Sequence, residues 1–321
     1  KIAIHYFIYL QYVYIYIKVY NDIVQAIDNG FITALVLLDF SAAFDCVDHP
    51  ILLHTLQNHF GITASALLWI ISFLSNRSHS VRLGTNSSKL FKVLFGVPQG
   101  SILGPLLFIL YTSNIVKIAA HHDILIHLYA DDTQLYIKLT TRYIEHAKTK
   151  ISACVRDIQS WYASMRLKLN ASKTELIWFD RSTRLDEMER KLILDENCSI
   201  EPSDVVRDLG VLLDSKLSMK PHIASISRAC FFHLRRIRQI KHCLNEHCLR
   251  TLVQALVMSR LDYCNSVLAD LPSTTLKPLT AVLYTAARLV KSLGPRDHIT
   301  PALRELHWLP IQSRIQFKLS L

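Results

Sequence analysis

The sequence predicts an α+β fold, with a region of mixed helices and strands followed by an all-helical one. Three observations carry this. Short apolar runs end in acidic residues, as residues 33–38 do before Asp39. An apolar hairpin centres on Tyr129-Ala130-Asp131-Asp132, preceded by Ile124, Leu125, Ile126 and Leu128 and followed by Leu135, Tyr136 and Ile137. Beyond Pro221 the apolar spacing turns helical almost to the end, which places an internal boundary near residue 215. The expected segments are therefore an atypical one over 1–20, a mixed region over 21–215 and a helical region over 216–321.

The elements follow in order. Residues 33–38 have the length and composition of a buried strand. After Asp48-His49 a helix starts at Pro50, with Leu52, Leu53, Leu56 and Phe60 on one face and Gly61 as its stop. A second helix covers 64–74. Residues 80–83 and 90–95 read as paired strands around the polar turn 84–88. Gly96-Val97-Pro98-Gln99-Gly100-Ser101 is a loop, and an apolar helix runs from Leu103 to about Ile115 with Pro105 in its first turn. The Asp-Asp hairpin comes next, then an amphipathic helix over 142–165, short strands at 167–169 and 175–179, and a charged connection over 181–191. Residues 206–213 form a strand pair around Leu209-Gly210.

Half of the 321 residues are apolar, enough for one large domain or two ordinary ones. The chain carries 36 Lys and Arg against 26 Asp and Glu, for a net +10. Residues 1–120 hold only 7 basic and 5 acidic residues, so the excess lies in the rest and points to a polyanion partner. Seven cysteines with no Cys-x-x-Cys pair suit a reducing, intracellular compartment. His242-Cys243 and His247-Cys248 are spaced by five, poorly suited to shared ligation, and no zinc is expected. Residues 2–17 form a Tyr- and Ile-rich run shorter than the ~20 residues that span a bilayer. The run lacks a small-residue cleavage site, so a buried strand or unrelated sequence is expected there and no stable membrane association.

Two adjacent carboxylates inside an apolar hairpin repel each other and lose hydration, and a divalent cation relieves both penalties. With the strand-terminal Asp39, they make the donor set of a two-metal phosphoryl-transfer site. Asp39 and Asp131 are expected to bridge two magnesium ions (manganese can substitute), with Asp132 completing or tuning the site. Lys173, following Asn170-Ala171-Ser172, is placed to protonate a departing pyrophosphate. Phe44 can pack under an incoming sugar and exclude a 2′-hydroxyl. Gln99 can hydrogen-bond the nucleotide, and Gly100 permits close backbone approach. The plain alternatives are a solvated Asp-Asp turn, a core phenylalanine, an ordinary Gly-rich turn and a solvated lysine; the apolar flanks and Asp39 count against the first. Residues 215–245 contain no acid but hold Arg228, Arg235, Arg236, Arg238 and Lys241, with Phe231 and Phe232 among them. Arg228, Arg235 and Arg238 share a helical face, which suits a phosphate backbone better than plain solvation does.

Taken together, these residues resemble the reverse transcriptases of non-LTR (LINE-type) retrotransposons, most closely the jockey-like branch, from about Lys18 to the C-terminus. Leu37-Leu38-Asp39-Phe40-Ser41-Ala42-Ala43-Phe44-Asp45 resembles the family's first catalytic motif, and the stretch from Gly96 through Pro105 its template and nucleotide loop. Tyr129-Ala130-Asp131-Asp132 resembles the second metal motif, and Leu169-Asn170-Ala171-Ser172-Lys173-Thr174-Glu175 the lysine motif. Asp208-Leu209-Gly210-Val211 resembles the primer grip. Ser259-Arg260-Leu261-Asp262-Tyr263-Cys264-Asn265 and Glu305-Leu306-His307-Trp308-Leu309-Pro310 resemble the C-terminal helical region.

The resemblance implies a right-hand polymerase: a palm of antiparallel sheet and packed helices, partial fingers and an all-α thumb. It implies RNA-directed DNA synthesis with element RNA as template, a DNA primer or target, dNTPs and magnesium, in the nucleus or cytoplasm. Tyr129 joins Phe44, Gln99 and Gly100 among the nucleotide-binding residues, and Leu209 and Gly210 would form the primer grip. Residues 1–20 do not resemble the family's fingers, so a truncated copy is expected. The alternative to an active polymerase is then an inert relic that retains nucleic-acid binding. An RNA-directed RNA polymerase is disfavoured by Phe44, because such an enzyme must admit the 2′-hydroxyl.

Overall fold

The computed structural model describes residues 17–41, 43–180, 191–195 and 198–320. The run at 2–16 and most of the charged connection at 181–191 lie outside them. Two compact units divide the chain, Lys1–Asp204 and Val205–Leu321. The division falls ahead of the expected residue 215 because the 205–214 hairpin belongs with the helices that follow it. Leu212 donates its N–H to His222 Nδ1 at 3.3 Å, and the Asp214 carboxylate accepts the N–H groups of Lys216, Ser218 and Met219.

In the first unit, helix α1 covers 17–28. Strand β1 (Ile32–Leu38) is buried along nearly its whole length, which explains its continuous apolar run rather than an alternating one. β2 is the two-residue Phe40–Ser41. Helix α2 (His49–Phe60) is capped by the Asp48 side chain, which accepts the Ile51 N–H at 3.1 Å, and ends at Gly61 with φ +64°. It buries Leu52, Thr55 and Leu56, whereas Phe60 is exposed at its end. Helix α3 spans Ala64–Leu74.

The strands expected at 80–83 and 90–95 are shorter and offset. β3 (Ser78–His79) pairs with β6 (Phe91–Lys92), and β4 (Arg82–Leu83) pairs with β5 (Asn86–Ser87). Between the two ladders one side has an extra residue. Ser88 bridges the gap, its Oγ accepting the Val81 N–H at 2.9 Å.

The apolar helix after the loop breaks into α4 (Leu103–Thr112) and α5 (Ile115–His121). By length and composition 103–121 could cross a membrane, but Leu107, Phe108, Tyr111, Ile115 and Ala119 are buried in the sheet's core cluster. β7 (Leu125–Tyr129) and β8 (Asp132–Leu139) form the predicted hairpin. Then come α6 (Ile144–Ser164), β9 (Lys168–Leu169), β10 (Glu175–Phe179), β11 (Leu192–Asp195) and β12 (Cys198–Ile200).

The main sheet has the order β10-β1-β8-β7, antiparallel throughout. One face of β1 (Ile32, Ala34, Val36 and Leu38) joins a core with Leu52, Phe108, Tyr111, Ile151 and Ile158. Leu35, Ile177 and Tyr136 form one cross-strand row on the other face and are equally buried. On that face the Tyr136 hydroxyl donates to Asp22 of α1 at 2.7 Å. Burial on both faces, at about 1.5–3 kcal/mol per large apolar side chain, holds β1 rigid up to the point where Asp39 leaves it.

The second unit opens with β13 (Val205–Asp208) and β14 (Val211–Asp214). Its helices are α7 (Lys220–Ile240), α8 (Glu246–Val253), α9 (Ser259–Asp262), α10 (Ser273–Lys291), α11 (Ile299–Leu306) and α12 (Ile311–Leu319), with a π-helical turn, Gln254–Met258, leading into α9. Asp262 and Arg314 form a two-point ion pair at 2.7 and 2.5 Å that ties α9 to α12. The fold as a whole is α+β.

Candidate active site

Asp39 leaves the end of β1, and its backbone is stitched to the segment carrying Lys173. Asn170 donates its N–H to the Asp39 carbonyl at 2.9 Å, and β2 pairs with β9 through Phe40 and Leu169. A single 3-10 turn, Ala171–Lys173, then presents the lysine. Its Nζ lies 3.5 Å from Asp39 Oδ2. This is an ion pair without hydrogen-bond geometry, and Asp39 Oδ2 is a buried oxygen with no hydrogen-bond partner.

Asp131 and Asp132 arrive at the same end of the sheet. β7 and β8 are joined by the two-residue turn Ala130-Asp131, closed by the Tyr129–Asp132 pair. Ala130 holds φ +50°, a strained region for a residue with a Cβ. Thr133 is the cross-strand partner of Leu38, so the residues next to each, Asp132 and Asp39, emerge side by side. The Asp132 carboxyl is pushed up to about 6, by desolvation first and then by the charges of Asp131 and Asp39. Part of its surface stays exposed, so the packed strand ends crowd the carboxyl without enclosing it. Desolvation, and secondarily Asp132, raises the half-buried Tyr129 hydroxyl.

These donors suit a hard divalent cation: all are carboxylate oxygens, they repel one another, and one buried oxygen, Asp39 Oδ2, has no hydrogen-bond partner beside its ion pair to Lys173. Among the described residues, however, no group of three or more His, Cys, Asp and Glu side chains is arranged to hold a metal ion as it stands. The carboxylates neighbour one another without forming a closed ligand shell.

The Gly-rich loop is fixed beside the first motif. Gly96 donates its N–H to Val47 O and Val97 to Phe44 O, each at 2.8 Å. The Gly96 carbonyl meets His49 Nε2 at 2.8 Å. Gly96 has φ +85°, and a Cβ there would lie 2.9 Å from the Asp45 backbone, so glycine is required twice over. Gly100 has φ +76° but a Cβ on it would face open space. The Phe44 ring is half-buried and stacks on Phe108, with centroids 4.9 Å apart. Gln99, expected to be available to a ligand, donates its amide to both oxygens of Asp45 at 3.1 Å.

Asp39, Asp131, Asp132, Tyr129 and Lys173 thus come together at one end of the sheet, while Phe44, Gln99 and Gly100 sit on the adjoining loop layer. Leu209, Gly210, Arg228, Arg235, Arg236, Arg238 and Lys241 belong to the second unit. There Leu209 and Gly210 form a turn with φ +44° and +82°, and the four arginines are exposed on α7.

Sequence reasoning missed a supporting network. Buried Asp48 pairs with Arg166 at 3.0 Å, and Tyr111 donates its hydroxyl to Met165 O at 2.5 Å while accepting the Asp48 N–H at 3.4 Å. Its only sequence signal is the cap position of Asp48. Asp45, which holds Gln99, was visible within the first motif.

The model of the family described as "Reverse transcriptase (RNA-dependent DNA polymerase)" matches residues 6–212. The chain is 29% identical over 220 residues to the RNA-directed DNA polymerase from mobile element jockey of Drosophila melanogaster, covering 66% of this chain and 23% of that protein. It is 30% identical over 238 residues to the probable RNA-directed DNA polymerase from transposon BS of the same organism, covering 72% and 25%. The chain therefore spans about a quarter of the length of these curated relatives. A solved telomerase from Candida tropicalis, in complex with a TWJ fragment of telomeric RNA, aligns at 13% identity and a TM-score of 0.44, covering 90% of this chain and 52% of that one. With its two aspartate motifs, lysine and loop held in one α+β unit, the chain belongs to the reverse transcriptase (RNA-dependent DNA polymerase) family, in its non-LTR retrotransposon branch.

Proposed function

We propose that this chain carries out RNA-directed DNA synthesis, adding a nucleotide from a dNTP to a primer 3′-hydroxyl on an RNA template. The observation that carries the reading is the meeting of Asp39, Asp131, Asp132 and Lys173 at one sheet end, with Lys173 Nζ 3.5 Å from Asp39 Oδ2. Asp39 and Asp131, with Asp132 tuning the site, would hold two magnesium ions, or manganese in their place. When bound, these supply charge neutralisation for the triphosphate and lower the pKa of the attacking hydroxyl.

The chain's own residues do the rest. Lys173 holds a proton beside the site and delivers it to the departing pyrophosphate. Phe44, braced by Phe108, places a ring where a ribose 2′-hydroxyl would otherwise fit. The Gly96–Ser101 loop, fixed to the turn at 44–47, offers Gly100 as an open backbone position for the nucleotide; Gln99, held by Asp45, and Tyr129 at the sheet end are the other nucleotide-binding residues of this reading. In the second unit, the turn at Leu209 and Gly210 serves as a primer grip. The exposed Arg228, Arg235, Arg236 and Arg238, with Lys241, follow the phosphate backbone of the template–primer duplex.

The test is primer extension on an RNA template with dNTPs and magnesium, comparing the wild type with the Asp131→Asn, Asp132→Asn double variant. Extension is expected from the wild type and loss of it from the variant. Equal extension by both would remove the proposed site.

A further inference from the structure

In the second unit, the β13–β14 hairpin and helices α7 and α9 meet around a cleft of about 350 Å³. That size falls in the range of small-molecule sites, about 300–1,000 Å³. Its polar lining is made of donors: Arg207 from β13, His222 and Ser225 from α7, and Arg260 from α9, with no carboxylate among the lining residues. His222 is only 4% exposed. Its Nδ1 accepts the Leu212 N–H at 3.3 Å, so the ring proton sits on Nε2, and among the described residues no hydrogen bond takes it up. Burial first, and then the charge of Arg207, pushes the ring down to about 4, so at neutral pH it is an uncharged donor. A buried donor left unmet is unfavourable, and a ligand acceptor relieves it. Arg260 donates Nη1 to the Leu256 carbonyl at 2.8 Å. Leu256 lies in the π-helical turn, Gln254–Met258, a feature that recurs at functional sites. Among the described residues the other nitrogens of Arg260 make no hydrogen bond.

The other walls are apolar, with Leu212, Ile226 and Ala229 among them. A ligand that complements this cleft carries negative charge at one end and an apolar or aromatic body at the other. The planar fork of an arginine suits a carboxylate and a phosphate alike. We infer that the cleft is a binding site for a small organic anion, its carboxylate or phosphate head meeting Arg260 and His222 and its body lying against Leu212, Ile226 and Ala229. A backbone phosphate of nucleic acid is the rival occupant, because Gly210 and Tyr263 line the cleft and also belong to the Leu209–Gly210 turn and its support. A phosphate group alone would leave the apolar walls unfilled, which favours a free organic anion. The inference does not depend on the polymerase reading.

The test is calorimetric titration of the whole chain with four probes: phenylacetate, phenyl phosphate, inorganic phosphate and the neutral benzyl alcohol. At least one aryl anion should bind, and the tighter of the two identifies the head group. Inorganic phosphate and benzyl alcohol should each bind about tenfold more weakly or worse, because each meets only one half of the site. Arg260→Met keeps the alkyl stem and should weaken the aryl anion about 10–100-fold, the usual effect of losing a charge-assisted hydrogen bond. Ser225→Leu fills the cleft from α7 and should abolish binding. Melting curves like that of the wild type show that each variant is folded. In protein labelled at the isoleucine methyls, the Ile226 signal, assigned by its loss in Ile226→Val, should shift on titration and locates the ligand even where a variant does not fold. No binding of either aryl anion overturns the inference, as does an unmoved Ile226 signal or wild-type affinity in either folded variant. Benzyl alcohol binding as tightly as the anions would reduce the site to an apolar crevice and overturn it too. Inorganic phosphate binding as tightly as phenyl phosphate, and displaced by a blunt duplex, would give the cleft to a nucleic-acid backbone instead.

Discussion

Lys173 Nζ faces Asp39 Oδ2 across 3.5 Å because the 168–170 segment is hydrogen-bonded to the chain just after β1. The lysine is mostly exposed, so the pair adds little to stability and its worth lies in position. Lys173→Ala should slow single-nucleotide addition by about 10²–10⁴-fold if the lysine is the general acid. Lys173→Arg keeps the charge but does not release its proton, and should not restore the rate. Pre-steady-state extension measures both, and full activity of the arginine variant would reduce the lysine to an electrostatic role.

Asp132 gives a pH dependence of opposite sign to that of an ion-paired carboxylate. Its folded-state value of about 6 lies above the ordinary 3.8. Between about pH 4 and pH 6 the folded chain therefore keeps a proton that the unfolded chain has released. Through this group, stability falls as pH rises across that window, and the deficit persists above it. Asp132→Asn should raise the melting temperature at pH 7.5 and leave it nearly unchanged at pH 4. Melting curves that stay parallel for the two proteins across this range would refute the coupling.

Magnesium should act on the same carboxylates without any turnover. Adding it at pH 7 should raise the melting temperature of the wild type, by mass action on the folded state, and not that of Asp39→Asn, Asp131→Asn. Calorimetric titration with magnesium provides the parallel measurement. Equal responses of the two proteins would place the binding elsewhere.

The two loop glycines should differ. Gly96→Ala incurs about 1–2 kcal/mol for its left-handed φ and about 1–3 kcal/mol more for overpacking against the Asp45 backbone. Gly100→Ala incurs only the first, because its Cβ would face open space. Denaturant unfolding of the two variants checks the order, and equal losses would contradict the packing at Gly96.

In the second unit the Tyr263 hydroxyl donates to the Leu209 carbonyl at 2.5 Å and supports a turn whose Leu209 lies at φ +44°. Tyr263→Phe should lower stability by about 0.5–1.5 kcal/mol. Under the primer-grip reading it should also raise the KM for primer more than it lowers kcat. A stability loss with unchanged primer KM would leave this tyrosine a structural support alone.

The local elements were legible wherever a short-range signal exists. Asp48 and Gly61 bracket α2 by cap chemistry, residues 64–74 form α3 as expected, and the Asp131–Asp132 and Leu209–Gly210 hairpins follow from apolar flanks around two-residue turns. The sequence alone also singled out the candidate site residues, because Asp39, Asp131, Asp132 and Lys173 are marked by residue type and flanking pattern. Other features depend on partners distant in the chain. Tertiary structure decided the strand order β10-β1-β8-β7 that sets Asp39 beside Asp132, the stitching of Asn170 to Asp39 that delivers Lys173, the commitment of Gln99 to Asp45, and the Asp48–Arg166–Tyr111 brace. It also shortened the 78–92 strands and left their apolar side chains in solvent, which periodicity cannot report because it shows which side chains share a face and not whether anything covers them. The physical reason is the same in each case. Caps, turns and helical faces are governed by neighbours a few residues away, whereas register, burial and electrostatic coupling depend on which distant segments the core brings together.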